Sequence, residues 1–185
     1  MTDDLANALR AIVDRLERLQ IPYMIVGSVA GLAHGRPRAT QDFDVVVDLD
    51  LDRLDALLAA LPADRYYVSR EAAVDALRRE TLFNIIDMET GWKVDVVPLK
   101  RREFSRTELA RRRPLQLLGM TVQVASVEDT IIAKLEWSTL AGGSARQLED
   151  VRELLRAGSA IDRAYVESWI ARLGLAEAWA SALSP

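Results

Sequence analysis

The chain contains no cysteine, which excludes disulfides and thiolate metal sites. It has one histidine, His34, at the end of a short expected helix, where it reads as a cap or surface residue rather than a catalyst. No apolar run approaches the ~18 residues of a spanning helix. The opening Met1-Thr2-Asp3-Asp4 is acidic, unlike the basic start of a signal peptide. These absences point to a soluble, cytoplasmic chain with no membrane partner. Positive charge is also in short supply. The net charge of -4 argues against a surface coated for duplex DNA, though not against a local basic patch. Gly-Lys-Ser/Thr is missing, so there is no Walker loop. There is no internal repeat and no low-complexity linker. At 185 residues the chain is one domain, or one domain with a helical extension. A chain of this size buries roughly 70% of its unfolded surface and needs no staples.

The apolar residues that are present mark out the elements. Leu5, Leu9, Ile12, Leu16 and Leu19 recur at helical spacing after Thr2, a cap candidate, and Pro22 ends that helix. A strand is expected over 23–26, a helix over 28–34, a strand over 43–47, and helices over 51–61 and 71–80. Residues 82–88 and 92–98 read as a hairpin around Glu89-Thr90-Gly91. A smaller hairpin is expected at 115–118 and 121–124, around Gly119. Ser126, with Asp129 three residues on, is a capping-box variant. From there helices are expected at 127–140, 145–157, 162–172 and 175–182.

One stretch carries chemistry. Ile25-Val26-Gly27-Ser28 is an apolar strand running into a helix start, and Asp42-Phe43-Asp44-Val45 is a second strand thirteen residues later. Residues two apart in a strand share a face, so Asp42 and Asp44 point the same way. Two carboxylates that close repel and raise each other's pKa, a cost a divalent cation removes. Mg²⁺ takes a few carboxylates, waters and phosphate oxygens. Asp95, inside Val94-Asp95-Val96-Val97, has the same setting, either as a further metal ligand or as a general base. Gly27 would let a phosphate approach the backbone, and Ser28 offers an amide and hydroxyl at a helix N-terminus. Together these suit chemistry on a nucleoside triphosphate. Each part alone has an ordinary reading: Gly-Ser is common in turns, and Asp48, Asp50 and Asp52 also alternate. The conjunction is harder to explain as packing.

The Gly-Ser, the spaced Asp-x-Asp and the later single Asp resemble the minimal nucleotidyltransferases of the DNA polymerase beta superfamily. Phe83-Asn84-Ile85-Ile86, Gly91-Trp92-Lys93-Val94-Asp95, Lys134-Leu135-Glu136-Trp137 and Arg146-Gln147-x-x-Asp150 are similar to AbiEii-type bacterial nucleotidyltransferases, over about residues 20–157. The resemblance implies an α/β (α+β) fold: a mixed sheet flanked by helices over 1–125, with a helical C-terminal subdomain over 126–185 packed against it. It implies Mg²⁺ (or Mn²⁺) at Asp42, Asp44 and Asp95, an NTP held by Gly27 and Ser28, and nucleotidyl transfer with pyrophosphate release. The acceptor stays open: a tRNA end, a protein side chain or a small molecule such as an aminoglycoside. An antitoxin partner in a toxin–antitoxin or phage-defence setting follows only by analogy. The alternative is a non-catalytic nucleotide-binding or partner-binding module of the same fold.

Other polar residues have two readings each. Lys134 either reaches the phosphates or snorkels at the surface. Arg146, Gln147 and Asp150 either line the substrate or include a helical Arg146–Asp150 pair. Arg38, in the loop before the aspartates, either neutralises phosphate charge or is solvated. Seven Lys/Arg against two Glu over 100–113 either contact RNA or form a solvated connector. Trp92, Trp137, Trp169 and Trp179 read as packing anchors rather than a base-stacking platform.

Overall fold

The computed structural model describes residues 2–35, 42–157 and 160–184. The chain opens with α1 (Thr2–Arg18), which already includes Thr2, the suggested cap. Its apolar stripe Leu5, Leu9, Ile12 and Leu16 is buried. β1 (Tyr23–Val26) runs directly into α2 (Gly27–Ala33), and β2 (Asp42–Val47) follows. α3 (Leu51–Ala59) starts at Asp50, whose carboxylate accepts from the Arg53 amide; α4 (Arg70–Arg79) is capped in the same way by Ser69. Between them lies β3 (Tyr66–Tyr67), two residues long and too short to show a period in sequence.

The expected hairpin is β4 (Phe83–Asp87) and β5 (Lys93–Pro98), which pair antiparallel. Asp87 Oδ1 accepts from the amides of Glu89 and Thr90, closing the turn. The basic segment forms α5 (Glu103–Arg111) and enters the second hairpin, β6 (Arg113–Leu117) and β7 (Met120–Val124). The chain ends in α6 (Val127–Leu140), α7 (Ala145–Arg156), α8 (Arg163–Leu173) and α9 (Ala176–Leu183). The Ser126 hydroxyl caps α6 by accepting from the Asp129 amide at 3.1 Å.

All seven strands of the described residues form one mixed sheet, in the order β3-β4-β5-β2-β1-β7-β6. β2 pairs antiparallel with β1 and parallel with β5. One face of the sheet builds the larger core: Phe43, Val45 and Val47 from β2 and Val94 and Val96 from β5 pack with α1, α3 and α4. A second core joins Phe104 of α5 to Ile131, Leu135, Val151, Val166 and Trp169 of the later helices.

Two expectations on this frame change. Trp92 and Trp169 are buried and Trp179 packs against the second core, but Trp137 is 56% exposed, because it lies on the face of α6 turned away from that core. The basic segment is also not simply solvated. Arg102 pairs with Glu136, and Arg111 donates to Asp129 and Glu128 while lying 3.8 Å over the Tyr165 ring. Two of its cations therefore bind α5 to the helices rather than facing outward.

Candidate functional site

The in-register pairing of β2 with β5 builds the centre of the site. Asp42 lies opposite Lys93 and Asp44 opposite Asp95. Because each strand alternates, all four side chains share one face, while Phe43, Val45, Val94 and Val96 fill the core behind them. Three carboxylates thus lie on one face of two neighbouring strands, Asp42 and Asp44 on β2 and Asp95 on β5.

Gly27 completes this face from β1. Val26 pairs with Asp44, so the chain turns into α2 beside that carboxylate. Gly27 has φ +65°, and a Cβ there would stand 2.0 Å from Asp44 Oδ2. Only glycine satisfies both the backbone angle and the contact. Ser28 follows at the start of α2, half-buried, and the N-cap residue, Val26, makes no side-chain cap hydrogen bond.

The electrostatics follow from the crowding. Burial, then the charges of Asp95 and Asp42, push the Asp44 carboxyl up to about 6. The ammonium groups of Lys134 and Lys93 pull the other way. Asp95 is fixed by two donors. The Asn84 amide, opposite it on β4, donates to Oδ1, and Lys93 Nζ lies 3.1–3.2 Å from both of its oxygens. The same ammonium is 3.8 Å from Asp42 Oδ2.

Lys134 is not a snorkelling surface residue. It is 6% exposed, and its Nζ donates to Asp150 Oδ2 at 2.6 Å and to Gln147 Oε1 at 3.4 Å. The Lys134 ammonium lowers the pKa of the Asp44 carboxyl, against the larger effect of burial. The suggested Arg146–Asp150 pair gives way to this contact: Asp150 is buried against Lys134, whereas Arg146 is exposed. A helix shows i,i+4 neighbours in sequence but not the partner across a helix pair. Arg38 lies outside the described residues. His34 caps the C-terminal end of α2, with Nε2 2.8 Å from the Ala125 carbonyl.

Neither Asn84 nor Lys93 stands out as a site residue in the sequence. Asn84 and Lys93 sit in half-buried strands at the polar phase of the alternation, which reads as solvent face. A cleft of about 570 Å³ opens at the His34 end of α2, lined by Arg111, Arg113, Ser126 and Glu128, and none of the three aspartates borders it.

The chain is similar in structure to the antibiotic-resistance factor ANT(2'')-Ia in complex with adenylyl-2''-tobramycin, with 15% identity, a TM-score of 0.62, and 95% of this chain and 98% of that one covered. It is also similar to an antigenic nucleotidyltransferase-like protein from Paracoccidioides brasiliensis, with 18% identity, a TM-score of 0.62, and 97% and 93% covered. These likenesses establish the fold: a nucleotidyltransferase-type mixed sheet flanked by helices. No family model matches the chain, and no curated protein matches it in sequence.

Proposed function

We propose that the protein moves a nucleoside monophosphate from an NTP to a hydroxyl acceptor. One observation carries this reading. Asp44 and Asp95 face each other in register on parallel strands, and the backbone of Gly27 packs against Asp44 where a Cβ would collide. A sheet gains no stability from facing two acids on its half-buried side; a site for phosphate and cation does.

Mg²⁺ (or Mn²⁺) suits this donor set, because hard divalent cations prefer carboxylate oxygens. The raised pKa of Asp44 reflects a crowding of negative charge that such a cation would relieve. Among the described residues no three His, Cys, Asp or Glu side chains already converge as a cage, and Lys93 lies between Asp42 and Asp95. Asp42, Asp44 and Asp95 would hold the cation, which when bound supplies charge neutralisation at the transferred phosphate.

The chain's own residues do the rest. The Gly27 and Ser28 backbone, with Lys134 and Gln147, would bind the triphosphate, and Arg38 would add positive charge. Asp95, oriented by Asn84, takes the proton of the acceptor hydroxyl. The hydroxyl oxygen bonds to the α-phosphorus as the bond to the bridging oxygen breaks, and that electron pair leaves with pyrophosphate. The acceptor is a tRNA end, a protein side chain or a small-molecule hydroxyl; the tobramycin adduct of ANT(2'')-Ia supports trying aminoglycosides first. A toxin–antitoxin setting with an antitoxin partner follows from the AbiEii-type sequence resemblance alone.

The position of Lys93 favours a second reading, a non-catalytic nucleotide-binding or partner-binding module. One experiment separates the two. The protein is incubated with each α-labelled NTP, Mg²⁺, and an aminoglycoside panel, bulk tRNA or protein extract. Pyrophosphate release with label on one acceptor supports transfer. Triphosphate binding by calorimetry without pyrophosphate release supports the module. Absence of both overturns the nucleotide reading.

A further inference from the structure

Two parallel strands carry a square of four charged side chains: Asp42 opposite Lys93, and Asp44 opposite Asp95. Three corners are negative, and the one positive corner touches two of them. Lys93 Nζ lies 3.1 Å from Asp95 Oδ1, 3.2 Å from Asp95 Oδ2 and 3.8 Å from Asp42 Oδ2. The other ammonium near the square, Lys134, is engaged by Asp150. Among the described residues, Lys93 is therefore the ammonium that touches Asp42 and Asp95. Its side chain is 41% exposed, so it can swing outward without opening a void in the core. A compact ammonium on a flexible four-carbon stem suits that movement better than a planar guanidinium.

Resting on the nucleotidyl-transfer reading, we propose that Lys93 is a resident counter-ion that competes with divalent metal for Asp42 and Asp95. Free Mg²⁺ or Mn²⁺ then meets two carboxylates, Asp42 and Asp95, that already share an ammonium. An incoming metal–triphosphate differs, because its phosphates offer the ammonium a new partner. The cation is accordingly taken up with the triphosphate rather than ahead of it. Lys93 is a positioning residue: it holds the two outer carboxylates in place until then.

Mn²⁺ binding followed by electron paramagnetic resonance tests this without turnover. Wild type is expected to bind Mn²⁺ weakly alone and at least tenfold tighter with a non-hydrolysable triphosphate. Lys93→Gln is expected to bind Mn²⁺ alone at least tenfold tighter than wild type. That gain should persist in about 1 M tetramethylammonium chloride, where the Debye length is ~3 Å and only contact interactions survive. Lys93→Met, which keeps the stem, should behave the same, and Mn²⁺ should raise the melting temperature of both variants more than that of wild type. Equal Mn²⁺ affinity in wild type and variants, or a gain that vanishes at high salt, overturns the proposal while leaving nucleotidyl transfer standing. If neither wild type nor variant binds Mn²⁺ even with triphosphate, the nucleotidyl-transfer reading fails and this inference fails with it.

Discussion

Gly27 and Asp44 compete for one small volume: a Cβ on the glycine would stand 2.0 Å from the aspartate's Oδ2. The contact ties the start of α2 to the middle of β2, so backbone and carboxylate present a common surface. Gly27→Ala is therefore expected to destabilise the protein through both the clash and the positive φ, by about 2 kcal/mol or more. Asp44→Ala should relieve the clash but not the backbone strain. Urea unfolding of the two single variants and the double variant gives the coupling, expected at about 1 kcal/mol. Strict additivity would mean that the two residues are not in contact.

Asp44 should make stability fall as pH rises in the absence of metal. Its folded pKa, about 6, lies above its ordinary value of 3.8, so the folded state holds a proton that the unfolded chain releases. The associated stability is present below 3.8 and is lost as pH climbs through 6. Asp44→Asn removes this dependence. In EDTA, the variant should match wild type near pH 4 and exceed it at pH 7 by roughly 1–3 kcal/mol. Metal–triphosphate should stabilise wild type and leave the variant unchanged. Parallel pH–stability curves for the two proteins would contradict the crowding at this site.

Glu108 should act in a higher window. It is 7% exposed on α5, and burial, then the charge of Asp129, push its carboxyl up to about 8. The proton it keeps when folded is lost by the unfolded chain above about 4.5, so stability falls between pH 4.5 and 8. Glu108→Gln keeps the shape without the charge. Its melting temperature is expected to be close to that of wild type at pH 5 and several degrees higher at pH 8. Calorimetric scans at both values decide this, and an unstabilised variant at pH 8 would mean that Glu108 is charged when folded.

The buried Lys134–Asp150 pair should be costly to halve and cheap to replace. Asp150→Asn leaves an ammonium 2.6 Å from a neutral amide in a dry setting, with an expected loss of about 3 kcal/mol. Lys134→Met with Asp150→Leu removes both charges and should recover most of that loss. The double variant should still bind triphosphate at least tenfold more weakly, measured by calorimetry. Full nucleotide affinity in it would leave Lys134 as a structural lysine.

Local order was legible wherever the cause lies within a few residues. The alternation of Asp42-Phe43-Asp44-Val45 fixes both carboxylates on one face once that segment is a strand, and the strand is present. Glu89-Thr90-Gly91 marks the β4–β5 turn, and Ser126 marks the start of α6. Two-residue β3 left no periodic trace, and α2 begins one residue earlier than expected, at Gly27.

By itself the sequence determined which residues carry charge, which strand phase each occupies and where the chain can turn. These follow from backbone sterics and side-chain periods of 2.0 and 3.6 residues. Only the tertiary structure decided who meets whom. Pairing β2 with β5 in this register, rather than one residue away, places Asp44 against Asp95 and Lys93 against Asp42; a single-residue slip would turn Lys93 and Asp95 to the other face. Packing α6 on α7 gives Lys134 to Asp150 and leaves Arg146 in solvent. Packing α5 against α6 and α8 turns Arg102 and Arg111 inward and leaves Trp137 outside. Each of these depends on contacts between segments far apart in the chain, where partner choice is set by the burial of whole faces rather than by any local pattern.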